Sequence, residues 1–118
     1  MRVLLRIYFL ASLFCNSVSA QIIEGTLWHD GLEREYIVYL PEGYNEDSEY
    51  PLMMFFHGAG LDVSALAAYQ PNITLSDTAG VISAWLQGHN KSWSFPPFPN
   101  LDDIGFVNAF LDTAIQNY

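Results

Sequence analysis

The clearest patterning lies over residues 33–40, where Arg34, Tyr36, Val38 and Leu40 fall on one face of an extended chain and Glu33, Glu35, Ile37 and Tyr39 on the other. Side chains of a strand alternate between faces, so this stretch predicts a β-strand. Residues 22–28 read as a second strand before it. The link His29-Asp30-Gly31-Leu32 holds an Asp-Gly pair, which suits a tight hairpin because glycine tolerates positive φ. Pro41-Glu42-Gly43 ends the second strand, and residues 44–50, rich in Asn, Glu, Asp and Ser, predict a polar surface loop.

The pattern then changes. Residues 52–56, Leu-Met-Met-Phe-Phe, are apolar without interruption, which predicts a strand buried on both faces, as in a parallel sheet. Asp62 is placed to cap a helix over about 63–69, with Pro71 ending it. Residues 75–78 suggest a further helical turn closed by Gly80, and the apolar residues 81–86 a fourth strand. A long loop rich in aromatics and proline covers 88–99. The last segment is the most regular helix: Asn100 is placed as its cap with Asp103 three residues on, and Asp102 and Asp103 suit the positive end of its dipole. Phe106, Val107, Phe110, Leu111 and Ala114 form an apolar stripe at spacings of three and four, and Asp112, Thr113, Gln116 and Asn117 face away. Hairpin, strand, helix, strand, helix is the order of an α/β fold with a parallel portion.

The N-terminus reads differently from the rest. Arg2 and Arg6 flank a positive start, an apolar stretch runs to Cys15, and Val18-Ser19-Ala20 fits a signal-peptidase site, so residues 1–20 read as a secretory signal and 21–118 as one domain segment. This places the protein outside the cytoplasm, secreted or periplasmic. Cys15 is the one cysteine and lies in that leader, so the rest has no disulfide to rely on. Residues 21–118 keep two basic residues, Arg34 and Lys91, against all thirteen acidic ones, a formal charge of −11. Such a surface repels nucleic acid and anionic membranes and argues for a neutral or particulate partner. A hydrophobic content of 51% excludes a disordered chain.

The candidate chemistry sits where the apolar run ends, at His57-Gly58-Ala59-Gly60. Acyl transfer puts a full charge on one oxygen of the tetrahedral intermediate, and backbone N–H groups fixed beforehand stabilise it. Ala59 is the candidate N–H donor, with Gly58 and Gly60 letting the backbone approach a substrate. His57 reads as a brace for this loop rather than a general base. No Gly-x-Ser-x-Gly occurs, and Ser48, Ser64, Ser76, Ser83, Ser92 and Ser94 lie on no strand-to-helix elbow, so no nucleophile is evident in this sequence. Trp93 and Phe95 are candidates for substrate contact, because aromatics there could stack on a sugar or phenolic ring. His57, Asp62 and His89 match no metal-ligand spacing, and neither metal nor cofactor is expected. Asn72-Ile-Thr74 and Asn90-Lys-Ser92 match the glycosylation acceptor pattern.

Four stretches together resemble the secreted α/β-hydrolase esterases of the polyhydroxybutyrate depolymerase, feruloyl esterase and acetylxylan esterase type. They are Arg34-Glu-Tyr-Ile-Val-Tyr-Leu-Pro41, Pro51 to Gly60, Ala79-Gly-Val81 to Gly88 with Trp93, and Asp102-Asp-Ile-Gly-Phe106. The resemblance implies the N-terminal part of an α/β-hydrolase fold and a serine esterase acting on feruloyl or acetyl esters of plant polysaccharide, or on a polyester. It also implies that the Ser elbow, the acid and the His follow the last helix, beyond Tyr118, and that residues 52–56 form a central strand whose edge is apolar when its partner is missing. A soluble, cooperatively folding 118-residue product is therefore not expected. One departure is Leu86-Gln87-Gly88, where the family tends to a Tyr-Pro-like pair before the glycine. The lack of a nucleophile also leaves open a non-catalytic extracellular binding module, or an inactive hydrolase remnant.

Overall fold

The computed structural model describes residues 19–94 and 101–118. The proposed leader, Phe95 and Asn100 thus lie outside the described residues, apart from Ser19 and Ala20. Four strands, β1 (Gln21–His29), β2 (Leu32–Leu40), β3 (Leu52–Phe56) and β4 (Ile82–Leu86), form one mixed sheet in the order β1-β2-β4-β3. The helices are α1 (Val63–Ala67), α2 (Gln70–Ala79) and α3 (Asp103–Asn117).

The hairpin closes through Asp30 and Gly31 at φ 50° and 74°, the two successive positive values of a type I′ turn. β1 pairs antiparallel with β2 from Gln21↔Leu40 to His29↔Leu32. β4 enters between β2 and β3, antiparallel to β2 (Tyr36↔Leu86) and parallel to β3 (Phe56↔Leu86).

The alternation in β2 sorts the core into two layers. Tyr36, Val38 and Leu40 join Ile82, Ala84, Leu86 and the α3 residues Phe106, Phe110 and Ala114 on one face. Ile37, Tyr39, Trp85, Val63 and Ala67 pack on the other face, beneath α1 and α2. β4 is buried throughout, which its apolar sequence requires. β3 departs from the expectation of burial on both faces. It lies at the sheet edge, Leu52 to Phe55 are half-buried, and Phe56 is 50% exposed. Its apolar composition therefore reflects two faces that are each only partly covered among the described residues.

Two helix boundaries also differ from expectation. Asp62 caps α1 as anticipated, accepting from Ser64 N–H at 3.0 Å, but α1 ends at Ala67. Pro71 does not end it. Pro71 lies in the first turn of α2, where no intrahelical N–H bond is required of it. Gly80 closes α2 in the left-handed conformation. In α3 the cap is Asp102, whose carboxylate accepts from Gly105 N–H at 2.9 Å, rather than Asn100. α3 buries Phe106, Phe110 and Ala114, while Ile104 and Ile115 stay about four-fifths exposed (79% and 80%) on its outer side.

Candidate functional site

β3 and β4 run parallel, so their carboxyl ends present two loops side by side, 57–61 after β3 and 87–92 after β4. The carboxyl ends of parallel strands are where α/β sheets place ligands. The two loops are joined by Gly60 N–H donating to Lys91 O at 2.7 Å. Gly60 has φ +83°, a value L side chains rarely adopt, so glycine is required there by backbone conformation. Gly88 is required for a different reason: a Cβ would come within 2.3 Å of Ser92 O and 3.1 Å of His57 Nε2. Gly58 has room for a side chain, its nearest neighbour being Leu61 Cδ1 at 3.7 Å.

His57 is 3% exposed and both ring nitrogens are engaged. Nδ1 lies 2.8 Å from Gly58 O, an acceptor, so Nδ1 carries the hydrogen and donates. Nε2 accepts from Gly88 N–H at 2.8 Å and from Gln87 Nε2–H at 3.0 Å. With both nitrogens committed, His57 in this arrangement offers no lone pair to a substrate hydroxyl or a metal. Among the described residues, no group of three or more His, Cys, Asp or Glu is placed to hold a metal ion. Trp93 Nε1–H donates to His57 O at 2.9 Å, and its ring lies 5.1 Å from the imidazole and 5.3 Å from Phe56.

Ala59 is exposed at the tip of the loop, and its N–H makes no hydrogen bond among the described residues. Gly60 N–H, by contrast, is already engaged by Lys91 O, so Gly60 serves the turn and supplies no second donor. The loop is tightened by Leu61 N–H donating to Gly58 O at 3.1 Å. Beside it lies a cleft of about 220 Å³ lined by Glu33, Glu35, Asp62, His89 and Lys91 among others. The Asp62 carboxyl is held below its ordinary range, chiefly by the Ser64 hydroxyl and backbone N–H, and its contact with Lys91 Nζ is a loose 3.4 Å at the surface.

Gln87 and Arg34 were not singled out by sequence as site or support residues, yet each organises this end of the sheet. Gln87 Oε1 accepts from Val63 N–H at 2.9 Å, tying the start of α1 to the end of β4. Arg34, 3% exposed, donates from Nη2 to Asp103 Oδ1 at 2.7 Å and lies with its guanidinium carbon 4.0 Å from the centre of the Phe106 ring. Asp103 also accepts from Ser94 N–H, which ties the loop after β4 to the start of α3. The signal for Arg34 was its position, a charge alternating onto the apolar face of β2. The signal for Gln87 was a polar residue directly after five buried ones. Asp102, placed by sequence only as a dipole partner, also meets His29 Nε2 at 2.9 Å.

The hydroxyls of Ser48, Ser64, Ser76, Ser83 and Ser92 hydrogen-bond no histidine ring. Ser64 Oγ donates to Asp62 Oδ1 at 2.7 Å, and Ser76 and Ser83 are buried against each other. Ala59 N–H is thus an unengaged donor among the described residues, and none of these five hydroxyls has an imidazole as partner. No protein-family model matches the chain, and no curated protein matches it either. Among the described residues no helix is long and apolar enough to cross a membrane.

Proposed function

We propose that residues 21–118 supply the oxyanion side of a secreted serine esterase that cleaves carboxylic esters, the candidates being feruloyl or acetyl esters of plant polysaccharide and polyhydroxyalkanoate polyesters. The observation that carries this reading is the exposed, unengaged Ala59 N–H, held on a braced loop at the carboxyl ends of two parallel strands. In the reaction a serine oxygen attacks the ester carbonyl, a histidine takes the serine proton, and the carbonyl oxygen becomes an anion. Ala59 N–H donates to that oxygen. When the anion collapses, the C–O bond to the alcohol breaks, the alcohol leaves with the histidine's proton, and water later releases the acid. On this reading the serine, its histidine and its acid lie outside residues 21–118, as the esterase resemblance implies. The leader 1–20 accounts for export, and no metal or cofactor takes part.

The test has two arms. The reading frame continued past the codon for Tyr118 encodes a Gly-x-Ser-x-Gly elbow, and its product hydrolyses a chromogenic acetate ester. Ala59→Pro, which deletes the donor, lowers kcat by about 100-fold or more with little change in KM, the size seen when one oxyanion donor is lost. A frame that closes at Tyr118, or an Ala59→Pro enzyme with unchanged kcat, overturns the proposal.

A further inference from the structure

The Gly58 carbonyl and the Ala59 N–H belong to one peptide unit. That unit is planar and trans, so the two groups point in opposite directions and turn together. Whatever holds Gly58 O therefore aims Ala59 N–H. Gly58 O accepts from His57 Nδ1–H at 2.8 Å and from Leu61 N–H at 3.1 Å. The first of these bonds exists only while the imidazole carries its hydrogen on Nδ1, and the tautomer of a histidine is set by what its other nitrogen meets. Here Nε2 meets two donors, Gly88 N–H and the Gln87 amide.

We infer that Gln87 is the positioning residue of the 57–61 loop: together with Gly88 N–H, its side-chain amide selects the Nδ1–H form of His57 and thereby fixes the direction of the Ala59 N–H. The orientation of that amide is itself determined. Val63 N–H needs an acceptor, and Oε1 provides it at 2.9 Å, which turns the NH₂ group toward His57 Nε2 at 3.0 Å, with Gly88 O at 3.2 Å and Leu61 O at 3.4 Å as its other acceptors. One planar group must accept on one side and donate on the other within a buried space. Glutamine does both. Ionised glutamate only accepts, and an aliphatic side chain would leave Val63 N–H without this acceptor and His57 Nε2 with Gly88 N–H alone. Its consequence for ester cleavage rests on the esterase reading above; its control of the loop does not.

The test is Gln87→Glu, examined by ring ¹⁵N–¹H correlations of His57 and by amide hydrogen exchange at neutral pH. In the unaltered protein the ring hydrogen is on Nδ1. In Gln87→Glu the carboxylate still accepts from Val63 N–H, which stays protected. Facing Nε2 it can only accept, so a ring hydrogen appears on Nε2 and Gly88 N–H exchanges about 10-fold or more faster, as expected for a lost hydrogen bond. Gln87→Met removes both contacts and exposes the Val63 amide as well, which separates the selective effect from general loosening. An Nε2–H tautomer in the unaltered protein, or a Gln87→Glu protein with Nδ1–H and Gly88 protection intact, overturns the inference. In the complete enzyme Gln87→Glu lowers kcat by about 10-fold with KM nearly unchanged, since only transition-state stabilisation is lost. Absence of turnover by the unaltered enzyme refutes the esterase reading, while the His57 tautomer still decides the inference about Gln87.

Discussion

Asp103→Ala removes the carboxylate that faces Arg34. The Arg34 side chain is 2% exposed, its guanidinium sits on the Phe106 ring, and its Nε is buried with no hydrogen-bond partner among the described residues. Without Asp103 its remaining polar contact among the described residues is Gln87 O at 3.4 Å. Breaking a buried pair by deleting one partner leaves an uncompensated charge and costs about 3–5 kcal/mol. Domains of this size have about 5–15 kcal/mol in total, so the loss is a large share of it. Arg34→Met is expected to cost less. Methionine can fill the space over Phe106, and Asp103, 12% exposed, keeps the Ser94 N–H and the positive end of α3. The double variant Arg34→Met/Asp103→Ala should recover much of the loss, because neither charge is then stranded. Urea unfolding followed by tryptophan fluorescence reads the difference, in a form of the protein in which the edge at residues 52–56 is covered and the transition is cooperative. With a slope of about 1–3 kcal/mol per molar, Asp103→Ala should move the midpoint down by about 2 M. A shift below about 0.5 M, or a double variant whose loss equals the sum of the singles, would refute the view that this pair is a buried, mutually dependent unit.

Three further outcomes follow from other contacts. Gly88→Ala forces a Cβ to within 2.3 Å of a backbone oxygen, so it should cost about 1–3 kcal/mol and lower Tm by roughly 5–20 °C in a thermal melt, with an unchanged Tm counting against the geometry. Asp102 has its carboxyl held below the ordinary range, first by Gly105 N–H and then by His29. Its contribution is therefore complete above the unfolded value near 4 and lost as pH falls through the folded value, so Asp102→Asn should flatten the acid side of a Tm–pH curve. The Tyr39 phenol is pushed up to about 12 by burial and by its bond to Asp77, so its contribution is present below pH 10 and lost as pH rises through 12. Ultraviolet titration should show as many tyrosines ionising near pH 10–11 in Tyr39→Phe as in the unaltered protein, and one fewer in the variant would count against a buried, hydrogen-bonded Tyr39.

The local elements were legible in the sequence because their causes are local. Asp30-Gly31 closes the hairpin through its positive φ, the alternation from Arg34 to Leu40 sorts two faces, and Asp62 and Gly80 mark helix ends by capping. Pro71 was misread because a proline both ends one helix and suits the first turn of the next, and only packing decides between them. For β3 only the burial on both faces was misread, because an uninterrupted apolar run looks the same at the edge of a sheet as in its middle; the apolar edge that the resemblance implies for residues 52–56 is where the strand order places them. At the site, the loop 57–61 and the inward role of His57 were readable from a strand ending in His-Gly-Ala-Gly. Gln87 was not, since its partners Val63, Leu61 and His57 lie 24 to 30 residues away and nothing periodic announces them. Neither the Arg34–Asp103 nor the His29–Asp102 pairing carries a sequence pattern, because each spans about 70 residues.

The strand order also sets a timetable. β1 and β2 are joined by a two-residue turn and can pair within about 1–10 µs. β3 has no such neighbour: among the described strands it pairs only with β4, and β4 is delivered only after α1 and α2 have carried the chain across. Loop closure over that span must precede any reward for β3, which places its docking late in assembly. Until then Leu52-Met-Met-Phe-Phe waits as an unpaired apolar segment, so the yield of folded protein should depend on chain concentration and temperature during refolding more steeply than the stability of the finished sheet would suggest.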